Sequence, residues 1–166
     1  MSPSRSSDSP PAPQPGVPPR PPAEVRAALL ALDRPGTPCT VRDGGPEGVD
    51  VVAEFVLVKL TKDGLFGRRQ YCESFQVQLR LVPESYEVRA VDVHTEYTLS
   101  GDKPRRRTTS RSRGQLRKKL VGYEFTPGTR ERRETYRFDS HDLKAALQHA
   151  VAAGGWTWHP VTFGRL

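Results

Sequence analysis

Between Tyr71 and Val82 the chain alternates without a break, with Phe75, Val77, Leu79 and Leu81 at every second position and Ser74, Gln76, Gln78 and Arg80 between them. A period of two is the side-chain period of a β-strand, so this segment predicts an antiparallel strand with one face on a core and one in water. Its neighbours fall into line. From Val51 to Leu60 both alternating sets are apolar, broken by Glu54 and Lys59, which is the pattern of a strand covered on both faces. Thr61-Lys62-Asp63-Gly64 and Pro83-Glu84-Ser85 are turn chemistry on either side of the central segment.

The next strand, Tyr86–Leu99, changes phase. Tyr86, Val88 and Ala90 share one set of positions and Val91, Val93, Tyr97 and Leu99 the other. A one-residue slip flips every later side chain, so a β-bulge between Ala90 and Val91 is expected, and bulges curl a sheet toward a roll. Further strands are predicted at Leu116–Phe125, Glu134–Phe138 and Trp156–Phe163, the last at an edge because of Pro160.

Two helices complete the pattern. A short one over Ala23–Asp33 presents Val25, Ala28, Leu29 and Leu32 on one side, and a stronger one after Asp139 or Ser140 presents Leu143, Ala146, Leu147, Ala150 and Val151. The fold class is α+β: a curved antiparallel sheet of about six to seven strands, a β-roll or partial barrel, with one late packing helix.

Nine of the 16 prolines lie in residues 1–22, where only Met1 and Val17 are larger apolar residues, so that stretch is expected to be a disordered tail outside the packing. Residues 23–48 form a helix and turn-rich lead-in, and residues 49–166 the single domain. No apolar run approaches the roughly 20 residues of a membrane-spanning helix, and prolines stand where an export signal would need an apolar stretch. A cytoplasmic location with Cys39 and Cys72 as reduced thiols follows as the expectation.

The charge is concentrated. Residues 103–119 hold nine basic side chains and no acid, against a net charge of +7 for the 166 residues, which leaves the rest of the chain at −2. A localised positive block attracts phosphate backbones by releasing their condensed counterions. Arg105, Arg106, Arg107, Arg111, Arg113, Arg117, Lys118 and Lys119 are therefore the candidate contacts to nucleic acid or another polyanion, and the alternative is a charged loop that repels itself and only solvates the protein. No aromatic lies between Tyr97 and Tyr123, so the segment itself has no base-stacking platform.

Four polar residues are candidates for chemistry. Asp92, His94 and Glu96 lie at i, i+2, i+4 on the expected polar face of one strand, where a histidine between carboxylates could bind a metal or serve as a base. The bland reading is a solvent-facing row, because three successive residues of one strand face do not easily converge on one ion. Glu54 interrupts an apolar strand and must be paired, neutralised or set at a cavity mouth. No CxxC pair, GxGxxG, GxxxxGK[ST], GxSxG or HExxH motif occurs, and no cofactor or metal is expected.

Arg42-Asp43-Gly44, Pro46-Glu47-Gly48-Val49-Asp50, Tyr136-Arg137-Phe138, Gly155-Trp156-Thr157-Trp158 and Phe163-Gly164-Arg165-Leu166 together resemble a set of small uncharacterised bacterial proteins, over about residues 40–166. The resemblance implies no activity, cofactor or catalytic residue. The sequence thus points to a non-enzymatic binding module using its basic segment. The alternative is a ligand-binding or catalytic roll with a cavity between sheet and helix, lined by Glu54, Asp92, His94 and Glu96.

Overall fold

A computed structural model describes residues 9–65, 67–101, 105–125 and 127–166. The elements run α1 (Pro22–Leu30), β1 (Cys39–Asp43), a 3-10 turn (Gly45–Glu47), β2 (Val51–Gly64), β3 (Gly67–Val82), β4 (Glu87–Ser100), β5 (Arg105–Gly114), β6 (Lys119–Phe125), β7 (Arg132–Asp139), α2 (Ser140–Ala153) and β8 (Thr157–Pro160). One sheet has the order β1-β2-β3-β4-β5, all antiparallel, with β8 added parallel to the start of β4. β6 and β7 form a separate two-stranded ribbon. The fold is α+β and mostly antiparallel. The sheet path ends at β1 and at β5, so it does not close into a barrel.

Antiparallel partners share a face, and the register assigns every side chain. The first face carries Val51, Ala53, Phe55 and Leu57 of β2, Glu73, Phe75, Val77 and Leu79 of β3, and Val88, Ala90, Asp92, His94 and Glu96 of β4. The core lies on it: Val25 and Leu29 of α1, Leu147 and Val151 of α2, Trp156, Trp158 and Phe138 pack there. Phe138 of β7 stacks on Phe55 with ring centroids 4.3 Å apart and meets Phe75 at 5.7 Å, which docks the ribbon on the sheet. Gly122 of β6 permits this fold-back, since a Cβ there would run into the Tyr136 ring.

α2 forms where the helical period predicts it, and the Asp139 side chain caps it by accepting from the His141 N–H. Both helices pack, so the late helix does not cover the sheet alone.

Several expectations change. No bulge separates Ala90 from Val91: β4 keeps register with β3 from Glu87 to Ser100, and Ala90, Val91, Asp92 and Val93 are all buried. The phase change therefore marks a strand shielded on both faces, with a carboxylate set into the apolar row. The bulges instead fall at Lys59 in β2, Thr109 in β5 and Thr135 in β7. β2 is covered on both faces only over its first half, since Val56 and Val58 are 46% and 49% exposed. It also runs through the predicted Thr61–Gly64 turn, and Arg105–Gly114, expected as a loop, is a strand.

The proline-rich tail read over residues 1–22 is anchored before it reaches α1; residues 1–8 lie outside the described residues. The Arg20 N–H donates to the Gly154 carbonyl, and the fully buried Trp156 indole donates to the Arg20 carbonyl at 2.9 Å. Deleting residues 1–20 would strand that N–H in the core at a cost of about 1–3 kcal/mol. A melting temperature several degrees below that of the full chain is expected. Leu147, fully buried at the centre of the α2 stripe, gives a second test. Leu147→Ala is expected to lose about 2–5 kcal/mol in urea unfolding.

Candidate functional site

β5 hydrogen-bonds to β4 on one side and, among the described residues, has no strand on the other. All residues from Arg105 to Arg113 are exposed. The bulge at Thr109 sorts the guanidiniums: Arg113 and Arg111 pair with Val93 and Thr95, and beyond the bulge Arg106 pairs with Leu99, so these three share the second face of the sheet. Arg105 and Arg107, opposite Ser100 and Thr98, lie on the first face. The aromatics that the segment lacks are supplied by its neighbours. The Arg106 guanidinium lies 4.0 Å from the centroid of the Tyr97 ring, on β4. Tyr71 of β3, with Lys62 6.0 Å from its ring centroid, lines a hollow of about 510 Å³ together with Arg69, Thr98, Ser100, Arg107 and Thr109. Both ring contacts are within cation–π range.

The two ends of the basic segment are used differently. Lys103 lies outside the described residues. Lys118 forms an ion pair with Glu73, and Lys119 pairs with Asp139 at 3.2 Å. The chain around Lys118 is tied to α2, its N–H donating to Ser140 Oγ and its carbonyl accepting from the Ser140 N–H. Lys118 and Lys119 thus each have a carboxylate partner within the chain, although Lys119 stays exposed, and the exposed cations of the segment without such a partner among the described residues are those of β5 and Arg117.

Asp92, His94 and Glu96 do share one face, but it is the covered one. Asp92 is fully buried beneath α2, where its Oδ2 accepts from Lys144 Nζ at 2.8 Å and from the Leu116 N–H at 2.7 Å, and its Oδ1 has no partner among the described residues. Burial raises its pKa, and the Lys144 and Leu116 donors offset only part of that. His94 and Glu96 instead belong with Glu73 of β3. Glu73, 1% exposed, has His94 Nε2 at 2.5 Å, Lys59 Nζ at 2.7 Å and the Lys118 ammonium against its oxygens, and Lys59 also reaches Glu96 at 3.0 Å.

Ligand atoms of Glu73, His94 and Glu96 lie within 4.8 Å of one another, a spacing that suits a metal ion. The charges argue otherwise. Two ammoniums already cancel the two carboxylates, and a divalent cation would sit beside both of them. The arrangement is a compensated charge cluster that closes the core on the side of β5. Glu73 carries the readable signal: it occupies the same alternating phase as Phe75, Val77 and Leu79, so it is a carboxylate in the core row.

Glu54 is on the opposite face, opposite Gln76. It accepts from Gln76 Nε2 at 2.8 Å and from Arg42 Nη2 at 3.3 Å, and Gln78 donates in turn to Gln76. Arg42 also clamps both oxygens of Glu47, whose carboxyl is held below the usual range by that guanidinium. Sheet parity therefore prevents Glu54, Asp92, His94 and Glu96 from lining one cavity. The space between sheet and helices is filled by Phe55, Phe75, Leu147, Val151 and Trp156.

No family model, curated protein or solved structure matches the chain. Among the described residues no helix is long and apolar enough to cross a membrane.

Glu73 is pulled in two directions. Burial favours its neutral form, but Lys118, Lys59 and His94 outweigh that and hold it at about 2. A carboxyl with a lower pKa folded than unfolded stabilises the fold above about pH 4.5, and the contribution disappears as pH falls toward 2. Glu73→Gln is expected to be less stable at neutral pH and to lose stability less steeply between pH 4.5 and 2. Urea unfolding at a series of pH values measures both, and an equally steep acid limb in the variant would assign the effect to other carboxylates.

Proposed function

We propose that the protein is a non-enzymatic binding module that engages nucleic acid through β5. One observation carries the reading: five guanidiniums, Arg105, Arg106, Arg107, Arg111 and Arg113, stand on an exposed edge strand, and no carboxylate pairs with any of them among the described residues. An edge strand needs only a charge or two to discourage pairing with another sheet. Five arginines in ten residues exceed that requirement, and each contact to a phosphate would release counterions. Tyr71 and Tyr97 beside the arginines offer rings on which bases can stack, a mode that tolerates any sequence. The unpaired cysteines Cys39 and Cys72 suit a reducing compartment, and on that ground we assign the module to the cytoplasm.

The test is salt dependence. Log K for a DNA or RNA oligonucleotide is expected to fall linearly with log salt. Replacing Arg105, Arg106 and Arg107 by Ala is expected to flatten the slope by about 2–3, at about 0.7–0.9 for each lost phosphate contact. Binding should weaken alike for every sequence, since these are backbone contacts. The three side chains are exposed, so circular dichroism should report an intact fold. Absence of wild-type binding at low ionic strength, where charge effects are strongest, would overturn the proposal.

A further inference from the structure

Away from the tyrosines, the second face gathers three guanidiniums around a hollow of about 350 Å³: Arg80 of β3, Arg113 of β5 and Arg165 of the C-terminal segment. Arg80 Nη2 donates to the Gly48 carbonyl, and Arg113 Nη1 donates to the Gly164 carbonyl at 2.5 Å. A neutral carbonyl positions a guanidinium without cancelling its charge. Among the described residues no carboxylate forms an ion pair with Arg80, Arg113 or Arg165. The one acidic side chain lining the hollow, Glu47, has both oxygens occupied by Arg42, at 2.5 and 3.0 Å.

Three guanidiniums around one hollow, none in an ion pair among the described residues, call for an anion with several acceptor oxygens. We infer that this hollow is a binding site for a phosphate group. Guanidinium forks match tetrahedral oxyanions bidentately, which suits side chains grouped around one hollow. The hollow has room for more than a bare ion, and Val49 and Leu166 give it an apolar part, so the group is either free phosphate or the terminal phosphate of a larger ester. The site does not depend on nucleic acid binding by the Arg105–Arg107 end of β5, since two of its three arginines lie outside that strand.

The full chain is titrated with inorganic phosphate against sodium chloride at matched ionic strength, followed by NMR chemical shifts. Saturable shifts with phosphate and none with chloride are expected. Arg80→Gln and Arg165→Gln should each weaken the affinity about tenfold, the size expected for one charge-assisted hydrogen bond. Arg165 makes no hydrogen bond or ion pair among the described residues, so its variant answers even if Arg80→Gln fails to fold. The Arg105, Arg106 and Arg107 triple variant should bind phosphate like the wild type, which separates this site from the proposed nucleic acid surface. A 5′-phosphorylated oligonucleotide that competes better than its unphosphorylated twin would identify a terminal phosphate as the ligand, and equal competition would identify free phosphate. No saturable response to phosphate, or unchanged affinity in a folded Arg165→Gln, would overturn the inference.

Discussion

The unbroken register between β3 and β4, Arg69 opposite Ser100 through Val82 opposite Glu87, is the constraint on which the two faces of the sheet depend. Side chains alternate across a strand, so one fixed pair of partners determines all the others. That parity puts Glu73, Asp92, His94 and Glu96 on the face covered by helices and ribbon, and Glu54, Gln76 and Gln78 on the other. Through the pairing of β4 with β5 and the bulge at Thr109, it also gathers Arg106, Arg111 and Arg113 on the second face. A shift of one residue would exchange these sets. The apolar row from Leu79 to Phe75 would then turn to the second face, away from α2 and the ribbon.

Along the first face the environment changes within a few residues. Phe75 and Phe55 are covered by Phe138, while Glu73, one pleat further, is covered by ammoniums and an imidazole. Buried ion clusters of this kind contribute little net stability compared with apolar packing, because desolvation consumes most of the Coulomb gain. Breaking one is costly, since it leaves a charge behind. Glu73 and Asp92 therefore act as fasteners. The first holds Lys118 and the second holds Leu116 and Lys144, and together they pin the chain between β5 and β6 against the sheet and α2. That connection sets where β5 leaves the core.

Toward β5 and the far end of β2 the cover of the sheet thins. Val56 and Val58 are half exposed, and every residue of β5 from Arg105 to Arg113 meets solvent. Repulsion among neighbouring arginines would disorder a free segment. The backbone pairing of β5 with β4 and the stacking of Arg106 on Tyr97 hold the arginines in place instead. An ordered array of like charges is better prepared for a polyanion than a loop, because less entropy is lost on binding.

Local pattern alone determined part of the architecture: the period of two in β3, the helical stripe and Asp139 cap of α2, the edge position of Pro160, and the confinement of positive charge to one segment. These are properties of residues close in the chain, where spacing translates directly into a face. Only the tertiary structure decided which face was covered. Asp92, His94 and Glu96 read as a solvent row because polar residues usually face water, yet Glu96 and Asp92 find their cations in Lys59 and Lys144, and His94 its carboxylate in Glu73, all on other elements. The phase change at Ala90 and Val91 has the same origin, since shielding of both faces removes the need for a bulge. The neighbours of the basic segment, Tyr97 and Tyr71, and the grouping of Arg80 and Arg165 around Arg113 are likewise set by strand pairing over long separations. Periodicity fixes the side on which a residue stands, and only the packed chain determines what stands opposite it.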